Sequence, residues 1–193
     1  MTSPDRLAQT SVPVHPPIAA RWSPRAFDPT AQLSDDELIA LLEAARWAPT
    51  WGRRQPVRFV VGRRGDETFG TLAGLLSRGN SYAKVASALI LLSADQGPDE
   101  NTALYSSVDA GSALGMLSVE AVARGLVVHP MAGFSAEGAV EAFDLADELR
   151  PLMVIAVGRL GDHADVDPEI AERDRAPRER RPLNEIVLNW PLS

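Results

Sequence analysis

Helical segments alternating with three or four apolar strands predict an α/β or α+β domain. Three observations carry this expectation. An amphipathic helix opens at Ser34, a nearly continuous apolar run extends from Ala86 to Ala94, and a long periodic stretch covers residues 104–124. A chain of 193 residues can build one good-sized core or at most two small ones, and one domain is expected.

Residues 1–20 hold Pro4, Pro13, Pro16 and Pro17, which favour extended backbone, so this stretch reads as an arm, loose or laid against another surface. Ser34 with Glu37 three residues later is a capping-box spacing, and Leu38, Leu41, Leu42 and Ala45 then mark one apolar helical face. Pro49 ends that helix. Thr50 to Pro56 is polar and aperiodic, and Val57 to Val61 follows as a strand with Val57, Phe59 and Val61 on one side. Residues 64–78 read as a helix with Phe69, Leu72, Leu75 and Leu76 on one face. Ala86 to Ala94, apolar on both faces, reads as a central strand covered on both sides.

Over residues 104–124, Val108, Gly111, Gly115, Ser118 and Val122 form one stripe, with Leu114, Leu117 and Ala121 beside it. So wide an apolar arc predicts a helix buried on most sides, ending at Gly125. Leu126 to His129 is a short strand, Pro130 to Phe134 a tight loop, Ser135 the cap of a helix running to about Phe143, and Leu152 to Val157 another buried strand. Residues 159–182 are densely charged without an apolar face, and Leu183, Ile186, Val187, Leu188 and Trp190 form a greasy end that needs a cover.

Composition excludes several chemistries. The chain has no cysteine, so disulfides, thiol nucleophiles and cysteine-based metal sites are ruled out. His15, His129 and His163 stand at no metal-like spacing, and no metal is expected. A formal net charge of -7 argues against broad binding to nucleic acid. No apolar run approaches the roughly 20 residues that span a bilayer, and no signal peptide is visible, so a cytoplasmic protein without a membrane partner is expected. Phosphate loops, dinucleotide fingerprints and nucleophile elbows are missing.

Four segments can carry chemistry. Arg21, Ser23 and Arg25 are spaced by two and project to one side of an extended backbone, where two guanidiniums and a hydroxyl suit a phosphate; a solvated basic turn is the alternative. Thr50 to Gln55 lies between two prolines at the edge of a cleft, or is an ordinary surface loop. Arg173, Arg175, Arg178, Arg180 and Arg181 concentrate positive charge against the global balance, which suits an anion or a salt-bridged tail. Pro130 to Phe134 can present backbone amides, with Gly133 adding freedom. Asp109, inside the long helix, reads as a structural acceptor rather than a general base.

In this order the pieces resemble the FMN-dependent nitroreductase family. The resemblance rests on Arg21-x-Ser23-x-Arg25-x-Phe27, on Ala45-x-x-Ala48-Pro49-Thr50 through Gln55-Pro56 and Arg58 to Val61, and on Asp109-Ala110-Gly111. It rests further on Pro130 to Phe134 and on Arg180-Arg181-Pro182-Leu183-Asn184-Glu185-Ile186-Val187. It covers about residues 18–188, which leaves 1–17 as an N-terminal arm before a domain of 18–193.

The resemblance implies an α+β fold with a central mixed sheet flanked by helices, built as an intertwined homodimer with FMN at the interface. It implies NADH or NADPH as electron donor and nitroaromatics, quinones or similar electrophiles as acceptors in a ping-pong cycle. It places Arg21, Ser23, Arg25 and Arg180 or Arg181 at the cofactor phosphate and ribityl chain, and Gln55 at the ribityl or ring edge. Arg53 and Met131 count among the cofactor-binding residues, Ala132 and Gly133 fall near the reactive edge through backbone amides, and no side chain serves as catalytic acid or base.

Arg53 stands where the family usually has Asn, so it either reaches the cofactor or substrate or blocks the old contact; Val57 stands where Trp is common. Residues 95–105 leave little room for a lid, so the pocket is expected either to be more open than in larger members or to be covered by Trp51 or Tyr82. The Arg53 departure motivates a second reading, a non-redox flavin or small-molecule binding and storage protein on the same scaffold.

Overall fold

The structure is a computed structural model and describes residues 6–189. The first five residues of the expected arm, with Pro4, and Trp190 of the greasy end lie outside the described residues. The elements are α1 (Pro16–Ala20), α2 (Asp35–Arg46), β1 (Val57–Arg63), α3 (Glu67–Leu75), β2 (Ala88–Asp95), α4 (Glu100–Ala123), β3 (Val127–Met131), α5 (Ala136–Phe143), β4 (Leu149–Gly158), α6 (Pro168–Arg175) and α7 (Leu183–Ile186).

The four strands form one sheet in the order β1-β2-β4-β3, and every neighbouring pair is antiparallel. This corrects the expected mixed sheet. The long helix α4 does join two strands that run the same way, β2 and β3. However, β4 inserts between them and opposes both, so no parallel pair forms within the described residues.

Side chains of β2 alternate across the sheet, as its apolar run requires. Ala88, Ile90, Leu92 and Ala94 join α2 and α4 on one face, with Ile155, Val157 and Val128. Leu89 and Leu91 point to the other face, where Phe69, Leu72, Phe27, Tyr82 and Met131 gather with Val154 and Ala156. The result is a three-layer α+β domain.

Several local rules act as the residues suggest. Ser34 Oγ accepts from the Glu37 amide while the Glu37 side chain accepts from the Ser34 amide, closing the capping box at α2. Glu37 also receives Arg159 at 2.7 Å. Asp66, Asp99 and Ser135 cap α3, α4 and α5.

Other boundaries move. The helix expected over 64–78 is shorter, and residues 78–85 wind instead into 3-10 turns. Helix α4 starts at Glu100, earlier than its apolar periodicity, because Asp99 caps a polar first turn. Strand β3 runs through Pro130 to Met131, which confines the expected loop to 132–134; an edge strand tolerates the proline. Helix α4 is not buried on most sides. Leu104, Val108 and Met116 are exposed, and so are Gly111 and Gly115. The charged segment 159–182, expected to lack an apolar face, contains α6 with Ala171 and Asp174 buried.

Two glycines of this region have opposite requirements. A Cβ on Gly62 in β1 would stand 2.3 Å from the Phe69 amide nitrogen, so α3 rests directly on the strand backbone there. Gly70, on α3, has nothing within 4 Å of the same position. Gly62→Ala is expected to destabilise the fold by about 1–3 kcal/mol through overpacking, and Gly70→Ala to stabilise it by up to about 1 kcal/mol through helix propensity. Urea unfolding of both variants checks the signs.

Candidate functional site

The segment Arg21 to Phe27 leaves α1 as extended backbone, and its side chains alternate. Trp22, Pro24 and Ala26 turn inward, while Arg21, Ser23 and Arg25 stay partly exposed. The segment is pinned at its far end, where Gly161 donates to the Ala26 carbonyl and Asp28 to the Arg159 carbonyl. A Cβ on Gly161 would fall 2.6 Å from the Phe27 carbonyl, so the close approach requires glycine.

Arg21, Ser23 and Arg25 line a single cleft of about 150 Å³, together with Arg6, Trp22, Arg173, Asp174, Arg178 and Arg180. Six guanidiniums thus surround one carboxylate. Arg178 is committed to the frame: it donates to the backbone carbonyls of Arg6, Ala19 and Arg21. Arg6 donates to the Ala176 carbonyl and lies 4.4 Å over the Trp22 ring. Burial, and then Arg180, pull the pKa of Arg21 below its ordinary value; burial, then Arg21, Arg6 and Arg180, do the same for Arg178. Burial is the larger cause of both shifts, and the neighbouring guanidiniums add to it.

Hydrogen bonding gives the same picture. Among the described residues, five buried side-chain polar atoms lack a partner; Arg54 Nε and Ser106 Oγ lie elsewhere, and Arg6 Nε, Trp22 Nε1 and Arg25 Nε belong to residues that line the cleft. Buried donors are rarely left unpaired. Excess positive charge and orphaned N–H groups together fit a compact anion such as a phosphate monoester.

Arg180 reaches this cleft, whereas Arg181 lines an adjoining groove of about 1010 Å³. That groove is walled by Val12 and Val14 of the arm, by Ile18 of α1 and by Leu183 and Ile186 of α7, and it shares Arg21, Arg178 and Arg180 with the cleft.

The loop of Thr50 to Gln55 holds a different kind of feature. Gly52, Arg53 and Gln55 all have positive φ, at 56°, 62° and 51°. Two non-glycine residues in the left-handed region mark stored strain, a frequent property of binding loops. Asp109 holds the loop: both its carboxylate oxygens accept from the Trp51 amide, at 3.1 and 3.0 Å. It is the structural acceptor its sequence context suggested. Arg54 pairs with Asp95 at 3.2 Å, and Trp51 stacks on Tyr105 with centroids 4.8 Å apart. The side chains of Arg53 and Gln55 stay exposed.

At the end of β3, the side chain of Met131 is core, packed under the sheet, so only its backbone can face a ligand. Among the described residues no acceptor takes the Ala132 or Gly133 amide. The Gly133 carbonyl accepts from Ser77 N and from Asn80 Nδ2 at 2.8 Å. Tyr82, a candidate cover, is instead buried, with its hydroxyl 3.1 Å from His129 Nε2. His129 Nδ1 lies 2.9 Å from the Pro24 carbonyl, which accepts only; Nδ1 therefore carries the proton, and Nε2 accepts from Tyr82. Burial is the main cause that pushes the Tyr82 hydroxyl up to about 12 and lowers the pKa of His129.

Three cleft residues escaped the sequence reading. Arg6 is a lone basic residue in a proline-rich arm and gives no local signal. Trp22 sits inside the motif but on the apparently inward side. Asp174 stood in the basic tail as one acid among several. The spacing of Ile170, Ala171 and Asp174 behind Asp167-Pro168 was the available signal, marking one face of a capped helix.

Because burial lowers the pKa of His129 from its ordinary 6.5, the unfolded chain binds that proton more readily than the folded one. The stability of the neutral form is whole above pH 6.5 and is lost as pH falls below it. Urea midpoints are expected to drop between about pH 7.5 and about pH 5.5, and to drop less in His129→Gln. Equal drops in both proteins would contradict the assignment.

The nitroreductase family model matches residues 18–94. An uncharacterised 15.4 kDa protein of Mycolicibacterium smegmatis, from the region 5' of ask, is 57% identical over 140 residues, covering 68% of this chain and 95% of its own. A solved oxidoreductase containing FMN superposes with a TM-score of 0.88 at 32% identity, covering 100% of this chain and 99% of its own. A protein of Desulfovibrio desulfuricans solved in complex with FMN gives a TM-score of 0.75 at 27% identity, covering 95% and 100%. With a family match that opens on the arginine motif and a solved relative that matches along its whole length, this chain belongs to the nitroreductase family.

Proposed function

We propose that the chain is an FMN-dependent oxidoreductase that takes electrons from NADH or NADPH and passes them to nitroaromatic, quinone or similarly electrophilic acceptors in a ping-pong cycle. The observation that carries the reading is the arginine cleft, with its surplus positive charge and three acceptor-less donors. The FMN present in two solved relatives supports the choice of anion.

When bound, the flavin supplies the redox chemistry, taking up and releasing a hydride. The chain supplies position and field. Arg21, Ser23, Arg25 and Arg180 hold the phosphate, and Arg178, tied to three carbonyls, keeps the cleft in shape. The amides of Ala132 and Gly133 offer donors to the ring edge, where negative charge grows on reduction. Gln55, exposed on its strained loop, offers one donor and one acceptor to the ribityl chain or ring. Arg53, exposed beside it, reaches toward an anionic substrate or cofactor oxygen rather than filling a neutral amide's place.

The proposal includes a homodimer with FMN at the interface. Its support is the stripe of Leu104, Val108 and Met116 with Gly111 and Gly115 on α4, an apolar and low-relief surface left open along the longest helix. Among the described residues no helix is long and apolar enough to cross a membrane, which is compatible with action on small molecules in the cytoplasm.

The purified native protein is expected to show flavin absorption bands that bleach on anaerobic addition of NADH or NADPH. Bands that persist with both donors would favour the binding or storage reading instead. Arg21→Ala is expected to weaken FMN binding by about ten-fold to over a hundred-fold, the worth of a charge-assisted phosphate contact of roughly 1.5–3 kcal/mol. A fluorescence titration that finds unchanged affinity would show that the phosphate lies elsewhere.

A further inference from the structure

Asp174 is a puzzle in an anion-binding cleft. Its carboxylate lines the cleft, its side chain is fully buried, and by charge alone it repels a phosphate. Its hydrogen bonds explain its presence. Oδ2 accepts from the backbone amides of Arg25 at 2.7 Å and Ala26 at 3.1 Å. Oδ1 accepts from Arg25 Nη1 at 3.2 Å, and His163 Nε2 lies 3.2 Å from Oδ2. One carboxylate thus grips two successive amides of the cofactor-binding segment and the guanidinium that the same segment projects. Arg25 Nε is left buried without an acceptor.

We propose that Asp174 is a positioning residue for the cofactor phosphate, holding the Arg25–Ala26 backbone and the Arg25 guanidinium in binding geometry before the cofactor arrives. The proposal rests on the placement of the FMN phosphate in the arginine cleft. Extended backbone has no internal hydrogen bonds of its own, so the segment between α1 and Phe27 needs an external anchor. Arg178, His129 and Gly161 hold the carbonyls of Arg21, Pro24 and Ala26, and the Asp174 carboxylate holds the Arg25 and Ala26 amides from α6, whose Ala171 packs inward on the same side. With its oxygens engaged by these donors, the carboxylate spends its charge inside the protein, and its repulsion toward an incoming anion is reduced.

Positioning and plain electrostatics predict opposite signs. Removing a negative charge from an anion site tightens binding if charge alone matters, whereas releasing the anchor weakens it. FMN and riboflavin, which differ by the phosphate, separate this from general damage to the fold. The experiment titrates wild type, Asp174→Asn and Arg21→Ala with both flavins, following flavin fluorescence.

Asp174→Asn is expected to lose about ten-fold or more in FMN affinity while its riboflavin affinity stays within about two-fold of wild type. Tighter FMN binding, or equal losses for both flavins, would overturn the proposal. If Arg21→Ala weakens FMN but Asp174→Asn does not, positioning fails and the phosphate placement stands. If Arg21→Ala leaves FMN affinity unchanged, the placement fails and the proposal falls with it. Should Asp174→Asn not fold, hydrogen exchange on the flavin-free wild-type chain decides. Slow exchange at the Arg25 and Ala26 amides is expected, and exchange at open-loop rates until FMN is added would overturn the idea.

Discussion

Like charges gathered around one small cleft are the constraint on which this structure turns. Arg6, Arg21, Arg25, Arg173, Arg178 and Arg180 come from the arm, the extended segment and the region after β4, and the fold brings them together against their mutual repulsion. It offsets part of that cost with backbone dipoles: Arg178 is solvated by three carbonyls and Arg6 by one. It offsets another part with a single buried carboxylate, Asp174. What remains is a positive site with unfilled donors, a standing electrostatic demand for an anion. The acidic surface elsewhere, in a chain of net charge -7, makes this local field stand out more sharply.

The sheet serves that arrangement by being rigid. Strand β2 is buried on nearly its whole length and separates two apolar layers. Strand β3 and the turn after it lie on the edge of the same sheet, and the chain Pro24 carbonyl–His129–Tyr82 ties that edge to the arginine segment. Asn80 then carries the connection to the Gly133 carbonyl. Two loops far apart in sequence are thereby held in a fixed relation by partly buried polar groups, which are costly to leave half-satisfied and so resist displacement. Asp109 does the equivalent for the strained loop of Gly52 to Gln55.

What the sequence made legible was whatever is local. The capping box at Ser34, the alternation of Val57, Phe59 and Val61, the buried run of β2 and the helix from Ser135 each depend on neighbours within a few residues, and each appears as read. The spacing of Arg21, Ser23 and Arg25 by two likewise places all three on one cleft. Features that depend on distant partners were hidden. The sheet became antiparallel because β4 slips between β2 and β3, an event no local pattern announces. Met131 looked like a loop residue but continues β3 into the core. Helix α6 lay in a segment whose charge masked a short buried face, and with it went Asp174. Arg6 joins the cleft from the other end of the chain, held by the Ala176 carbonyl 170 positions away.

That last contact has a consequence of its own. The proximal arm and the distal tail are stitched to each other across the cleft, Arg6 to Ala176 and Arg178 to Arg6 and Ala19. An anion settling there neutralises charges contributed by both ends at once, so its binding energy is shared with the closure of the two ends over the site. The end-to-end contacts form without a ligand, and an anion in the cleft would add its binding free energy to their closure. A protease that samples open ends would therefore cut the ligand-free chain faster than the loaded one.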